Sequence, residues 1–216
     1  MEIKKEQENK LLLYAMYTIL YLNDTACNCV KELEPYIANK DKETKKIYGA
    51  LKKRVNTYFN AINKVVDKNI DYLADYCSEM DDICYDSMLN FKNALYDVYC
   101  SHTLDDSEYY TQVETMRSMV EMSKFATNKV IDTIKYKVPN TSWLSNYMIP
   151  DFSKIANNFA DWVYRKTPKD IQINFNEDSE TMKYFREMSS LMVDFKSFDA
   201  AYTKAAEYEK ERKKNI

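Results

Sequence analysis

"YGALKKRVNTYFNAINKVVDKNIDYLADYCSEMDDICYDSMLNFKNALYDV", residues 48–98, decides the fold. Its apolar residues recur at Leu51, Val55, Tyr58, Ile62, Val66, Ile70, Leu73, Cys77, Met80, Cys84, Met88, Phe91, Leu95 and Val98. Every step is three or four, the period of one helix face rather than the alternation of a strand. No proline or glycine interrupts residues 50–138. One helix over the whole stretch would exceed ~75 Å at 1.5 Å per residue. A break is therefore expected, with "VDKN" (66–69) and the capping pattern Ser78–Asp81 as the two candidate places.

The same period extends in both directions. Upstream, Ile19, Leu22, Ala26, Val30 and Leu33 predict a helix from about Lys5 into the thirties, which Pro35 ends or kinks. "LLLYAMYTILYL" (11–22) is too short to span a bilayer and lacks a signal-peptidase site, so it reads as a helix buried on most sides. Downstream, Asp105 and Glu108 form a capping box for a helix carrying Val113, Met116, Val120, Thr127, Ile131 and Ile134 to about Lys137. "VPNTSWLSNYMIPD" is irregular and leaves Trp143 exposed. A short helix then bears Phe152, Ile155, Phe159 and Trp162 on one face. "DIQINF" (170–175) alternates but has no partner strand, so it reads as a connector. A last helix from about Asn176 repeats Tyr184, Met188, Leu191, Phe195, Phe198, Tyr202 and Ala205, a seam that could pack inward or pair with a second copy. Together these predict a single all-α domain over residues 1–216. It is an elongated bundle of five to six helices with no β-sheet and with irregular connectors at about 138–151 and 167–177.

Composition removes most enzyme classes. The single glycine, Gly49, permits no phosphate-cradling loop, dinucleotide fingerprint or nucleophile elbow. The single histidine, His102, rules out the zinc motifs that need two. Five cysteines, at 27, 29, 77, 84 and 100, make no regular framework and point to a reducing compartment. Cys27 and Cys29, two apart on a helix, diverge by ~200° and cannot grip one ion. Cys77 and Cys84 fall on the apolar face, where cysteine acts as a small hydrophobe. No cofactor is expected.

Charge is what stands out. Asp71, Asp75, Glu79, Asp82 and Asp86 fall within an arc of ~80° on a helix, and Asp97 rejoins it further on. Leu73, Met80, Cys84, Phe91 and Val98 lie opposite. The acids are therefore expected to face water. Like charges at i,i+4 cost ~0.2–0.5 kcal/mol per pair, yet no Lys or Arg occurs from Asn69 to Phe91. Residues 40–68, by contrast, hold nine basic residues against three acids. The stripe could be neutralised within the chain, be an inert wet face, or dock a basic partner.

The expectation is a non-enzymatic, cytoplasmic interaction protein that binds a protein partner through an acidic, tyrosine-rich helical surface. Asp71, Asp75, Glu79, Asp82, Asp86 and Trp143 are the candidate contacts, and an immunity protein, antitoxin or phage-type inhibitor has this character. Two other classes compete. A carboxylate-based, metal-dependent phosphohydrolase would use the acids from Asp71 to Asp86, but Glu79-x-x-Asp82 has no Glu-x-x-Glu upstream to face it. A nucleic-acid binder would use the basic segment 40–68, with Tyr58 and Phe59 for stacking. The nineteen tyrosines suit interfaces. Tyr14, Tyr17 and Tyr21 are expected inside with hydroxyls toward the rim, and Tyr109, Tyr110 and Tyr147 outside.

Overall fold

Three- and four-residue periodicity becomes helix throughout the computed structural model, which describes residues 2–66, 70–101, 106–147, 150–166, 179–193 and 195–214. The α-helices are α1 (Glu2–Lys31), α2 (Glu34–Ile37), α3 (Lys42–Val66), α4 (Ile70–Ser101), α5 (Ser107–Lys135), α6 (Pro150–Tyr164), α7 (Glu180–Leu191) and α8 (Phe195–Lys214). A 3-10 helix covers Ser142–Tyr147. No strand occurs among the described residues, and the all-α bundle is as expected. The rods are long: α1, α4 and α5 have 30, 32 and 29 residues, or about 45 Å each at 1.5 Å per residue.

Local chemistry sets the ends. Pro35 stands in the first turn of α2, where a missing N–H is harmless. Asp41 opens α3: one carboxylate oxygen accepts from the backbone N–H groups of Glu43 and Thr44, both at 3.0 Å. Lys166 and then Thr44 hold that carboxyl well below the usual range. Ser179 caps α7 by accepting from the Met182 N–H at 3.2 Å. Asn140 takes φ 59° after Pro139, the left-handed conformation that asparagine tolerates best after glycine.

α5 is the centre. It packs on α1, α4 and α6, while α3 closes the α1–α6 side and α7 and α8 close over α4. In α1, Ala15, Ile19, Leu22, Ala26 and Val30 are buried at a spacing of three or four. Among the described residues no helix is long and apolar enough to cross a membrane. Aromatic rings knit α8 to α1 and α4, with Phe198 against Tyr14 (5.4 Å) and Tyr76 (5.7 Å).

Several expectations resolve or change. α4 runs unbroken through Ser78–Asp81, while the other candidate break, "VDKN", lies beyond Val66 outside the described residues. The helix read from Asn176 divides at Met192–Val193. The Tyr14 hydroxyl donates to the Val193 carbonyl at 2.8 Å, which pins the corner to α1. Within the 184–205 seam Met188 and Phe198 are buried in the core, Tyr184, Leu191 and Tyr202 are partly buried against it, and Phe195 is exposed. Tyr109, expected outside, is buried under the Lys40 ammonium, 4.1 Å from its ring centre. Tyr110 is partly buried against the core. His102, Asp105, the connector 167–177 and the start at Asn176 lie outside the described residues, as do the side chains of Asp71, Leu73, Tyr147 and Ala205.

Candidate functional site

α4 carries the predicted stripe. On its inner side Tyr76, Met80, Cys84, Phe91 and Leu95 are buried. On its outer side Asp82, Asp86 and Asp97 are exposed, while Asp75 and Glu79 are half-buried. The outward placement read from the 100° periodicity thus holds for Asp82, Asp86 and Asp97 and only in part for Asp75 and Glu79. Asp71 is in the helix, but its side chain is outside the described residues.

The acids divide by neighbour. Glu79 accepts from the Lys204 ammonium of α8 at 2.7 Å. Glu79, then Asp75 and Asp82, raise the Lys204 pKa, so one lysine relieves the repulsion of that end of the row. On the opposite flank the Tyr21 hydroxyl donates to Asp81 at 3.1 Å, and burial raises that carboxyl. Lys92 leans to the same flank and binds Glu32 at 3.0 Å. Among the described residues no ion pair engages Asp82, Asp86 or Asp97.

The sequence reading passed over what stands beside those acids. Tyr85 is 60% exposed, Leu89 43% and Tyr96 41%. At 100° per residue they fall within an arc of ~40°, next to the acidic strip. The spacing 85, 89, 96 carries that row in the sequence, where the longer core stripe of the same helix overlies it. Trp143, 39% exposed, belongs to another element: the 3-10 helix that packs on α1 and α5.

The basic segment behaves differently. α3 lies along α1 and α6; Tyr58 packs on Phe152 at 5.7 Å, and the Lys31 ammonium covers the Phe59 ring at 3.4 Å. Both rings are occupied within the fold. Lys40 and Lys52 are paired with Asp106 and Glu34.

Chemistry elsewhere is sealed or dispersed. Glu114 on α5 is 3% exposed; it accepts a short hydrogen bond from the Tyr164 hydroxyl and another from Ser118 at 3.3 Å. Burial raises its pKa, the signature of a general acid, but its partners close it inside the α5–α6 contact. No sequence signal marked it. All five cysteines are free thiols; burial pushes those of Cys27, Cys29 and Cys77 up to about 12, away from reactive thiolates. Among the described residues no three His, Cys, Asp or Glu side chains are grouped to hold a metal ion. A trench of about 1070 Å³ between α1, α5 and the start of α8 has an apolar floor that includes Leu11, Val130 and Phe195. Its rim mixes Glu6 and Glu8 with Lys129 and Lys137 and selects no charge. Comparisons with protein-family models, curated proteins and solved structures find no match.

Proposed function

We propose that this chain is a non-enzymatic interaction protein, of the immunity, antitoxin or inhibitor kind, that binds a basic protein partner through the outer face of α4. One observation carries the reading. Asp82, Asp86 and Asp97 are exposed, stand on the face opposite the core, and have no ion pair among the described residues. Repulsion along such a row costs a few tenths of a kcal/mol per pair, and a cationic partner turns that cost into attraction and faster encounter. Asp75 and Glu79, both half-buried, belong to the edge of the surface, and Glu79 is already paired with Lys204. Trp143 stands apart from it.

The test is affinity purification from the native host with the wild-type chain and with Asp82→Lys/Asp86→Lys. The reading expects a basic protein held by the wild type, released by salt, and lost from the variant. An identical set of partners on both chains contradicts it.

A further inference from the structure

We infer that the occupant of the α4 face is a basic amphipathic helix of the partner, seated on Tyr85, Leu89 and Tyr96 and flanked by Asp82, Asp86 and Asp97. This rests on the function proposed above and adds the partner's chemistry and shape.

The apolar row comes first. Among the described residues the large exposed hydrophobics are Tyr85, Leu89, Tyr96, Phe125, Tyr136, Trp143 and Phe195. The last four are scattered over α5 and its C-terminal turn, the 3-10 helix and α8, and single exposed rings of that kind are ordinary. The first three line up on one helix. Tyr85 and Tyr96 are eleven residues apart, about 16 Å along the axis, or three turns. A row of that length and width matches the apolar stripe of another helix, whose anchors recur at i, i+3 or i+4, and i+7. Tyrosine also gives large contact area at low entropy cost.

The charges give the second argument. Asp82, Asp86 and Asp97 border the row on one side. The segment from Asn69 to Phe91 supplies no lysine or arginine to balance them, and Lys92 is drawn away to Glu32. An anionic occupant, whether nucleic acid or an acidic membrane surface, is repelled here. A polycation without apolar anchors leaves Tyr85 and Leu89 in water. A helix with an apolar stripe edged by Lys or Arg satisfies both features, and each charge pair formed at the rim adds specificity and speed more than affinity.

The experiment selects random 16-residue peptides displayed on phage against the full chain, then measures affinities of the enriched peptides by fluorescence anisotropy. Three chains are compared: wild type, Leu89→Asp, and Asp82→Lys/Asp86→Lys. All substituted side chains are exposed, so melting temperatures should agree. The inference expects enriched peptides that are cationic, carry apolar residues at helical spacing and gain helical circular dichroism on binding. They should weaken about ten-fold or more on Leu89→Asp and on the charge reversal, and on scrambling the peptide. If the peptides or their scrambled forms bind Leu89→Asp as tightly as wild type but fail on the charge reversal, the helix is overturned and the docking face survives. If no peptide is enriched, or binding ignores both variants, inference and docking face fall together.

Discussion

α5 and α4 are nearly equal in length and lie against each other, yet their residues face opposite surroundings. Through its first half α5 is buried on almost every side, including Thr111, Gln112, Glu114, Thr115 and Ser118. α4 buries one side only and leaves Asp82, Tyr85, Asp86 and Leu89 in water. The difference shows that polarity in a sequence does not report exposure. Thr111 and Thr115 each donate to the carbonyl four residues earlier, at 2.8 Å, and so bury a hydroxyl without needing an outside partner. Glu114 and Glu121, seven residues apart, meet α6: the first accepts from Tyr164, the second from Ser153 at 2.9 Å and Asn157 at 2.5 Å. Among the described acids of α4, Asp81 meets Tyr21 and Glu79 meets Lys204, while Asp82, Asp86 and Asp97 have no ion pair among the described residues. α5 uses its polar groups to hold the bundle together; α4 presents its own to the outside.

Truncations give the largest contrast. Phe91→Ala, on the buried side of α4, should cost about 3–5 kcal/mol, and Met119→Ala on α5 about 2–5 kcal/mol. Leu89→Ala, on the outer side of α4, should stay within about 0.5 kcal/mol. Urea unfolding measures all three, and a large cost at Leu89 would break the division between the two faces.

Next in size is the polar contact of α5. Glu114→Ala strips the Tyr164 hydroxyl of its acceptor and should cost about 1–3 kcal/mol. Burial raises the Glu114 pKa, so the folded state holds that proton more firmly than the unfolded chain. Its contribution is complete below the unfolded-state pKa and is lost as pH climbs through the raised one. Glu114→Gln should therefore gain on the wild type from acid toward neutral pH and converge with it at low pH, a trend that melting curves over that range will read.

Smaller effects refine the surface. Gly49 lies exposed inside α3 with open space where a Cβ would go, so Gly49→Ala should stabilise by about 0.5–1 kcal/mol. Lys204→Ala removes one exposed ion pair and should lower the melting temperature only slightly at low salt, the difference vanishing as salt is raised.

Much of this fold was legible, for physical reasons. Apolar steps of three and four identify helix without ambiguity over "YGALKKRV…LYDV", and with few glycines and prolines nothing competes locally. The direction of the α4 acids followed from the same geometry. Burial of α5 on several sides was not legible, because serine and threonine that satisfy themselves look like solvent residues. Tyr109 was misplaced for a related reason: its cover, Lys40, comes from a different part of the chain. The corner at Met192 was hidden because Phe195 and Phe198 continue the seam across it in sequence. Of the candidate contacts, Asp82 and Asp86 are exposed and have no ion pair among the described residues. Glu79 was legible as an acid but not as the partner of Lys204, a tertiary pairing over 125 positions.

The central claim is that the outer face of α4 binds and the remaining surface does not. Two-dimensional NMR of the labelled chain, titrated with the tightest peptide from the display selection, tests it most directly. The account predicts shift changes concentrated on residues 82–97, around Tyr85, Leu89 and Tyr96. Changes concentrated instead along α3, or in the trench between α1 and α5, would contradict it.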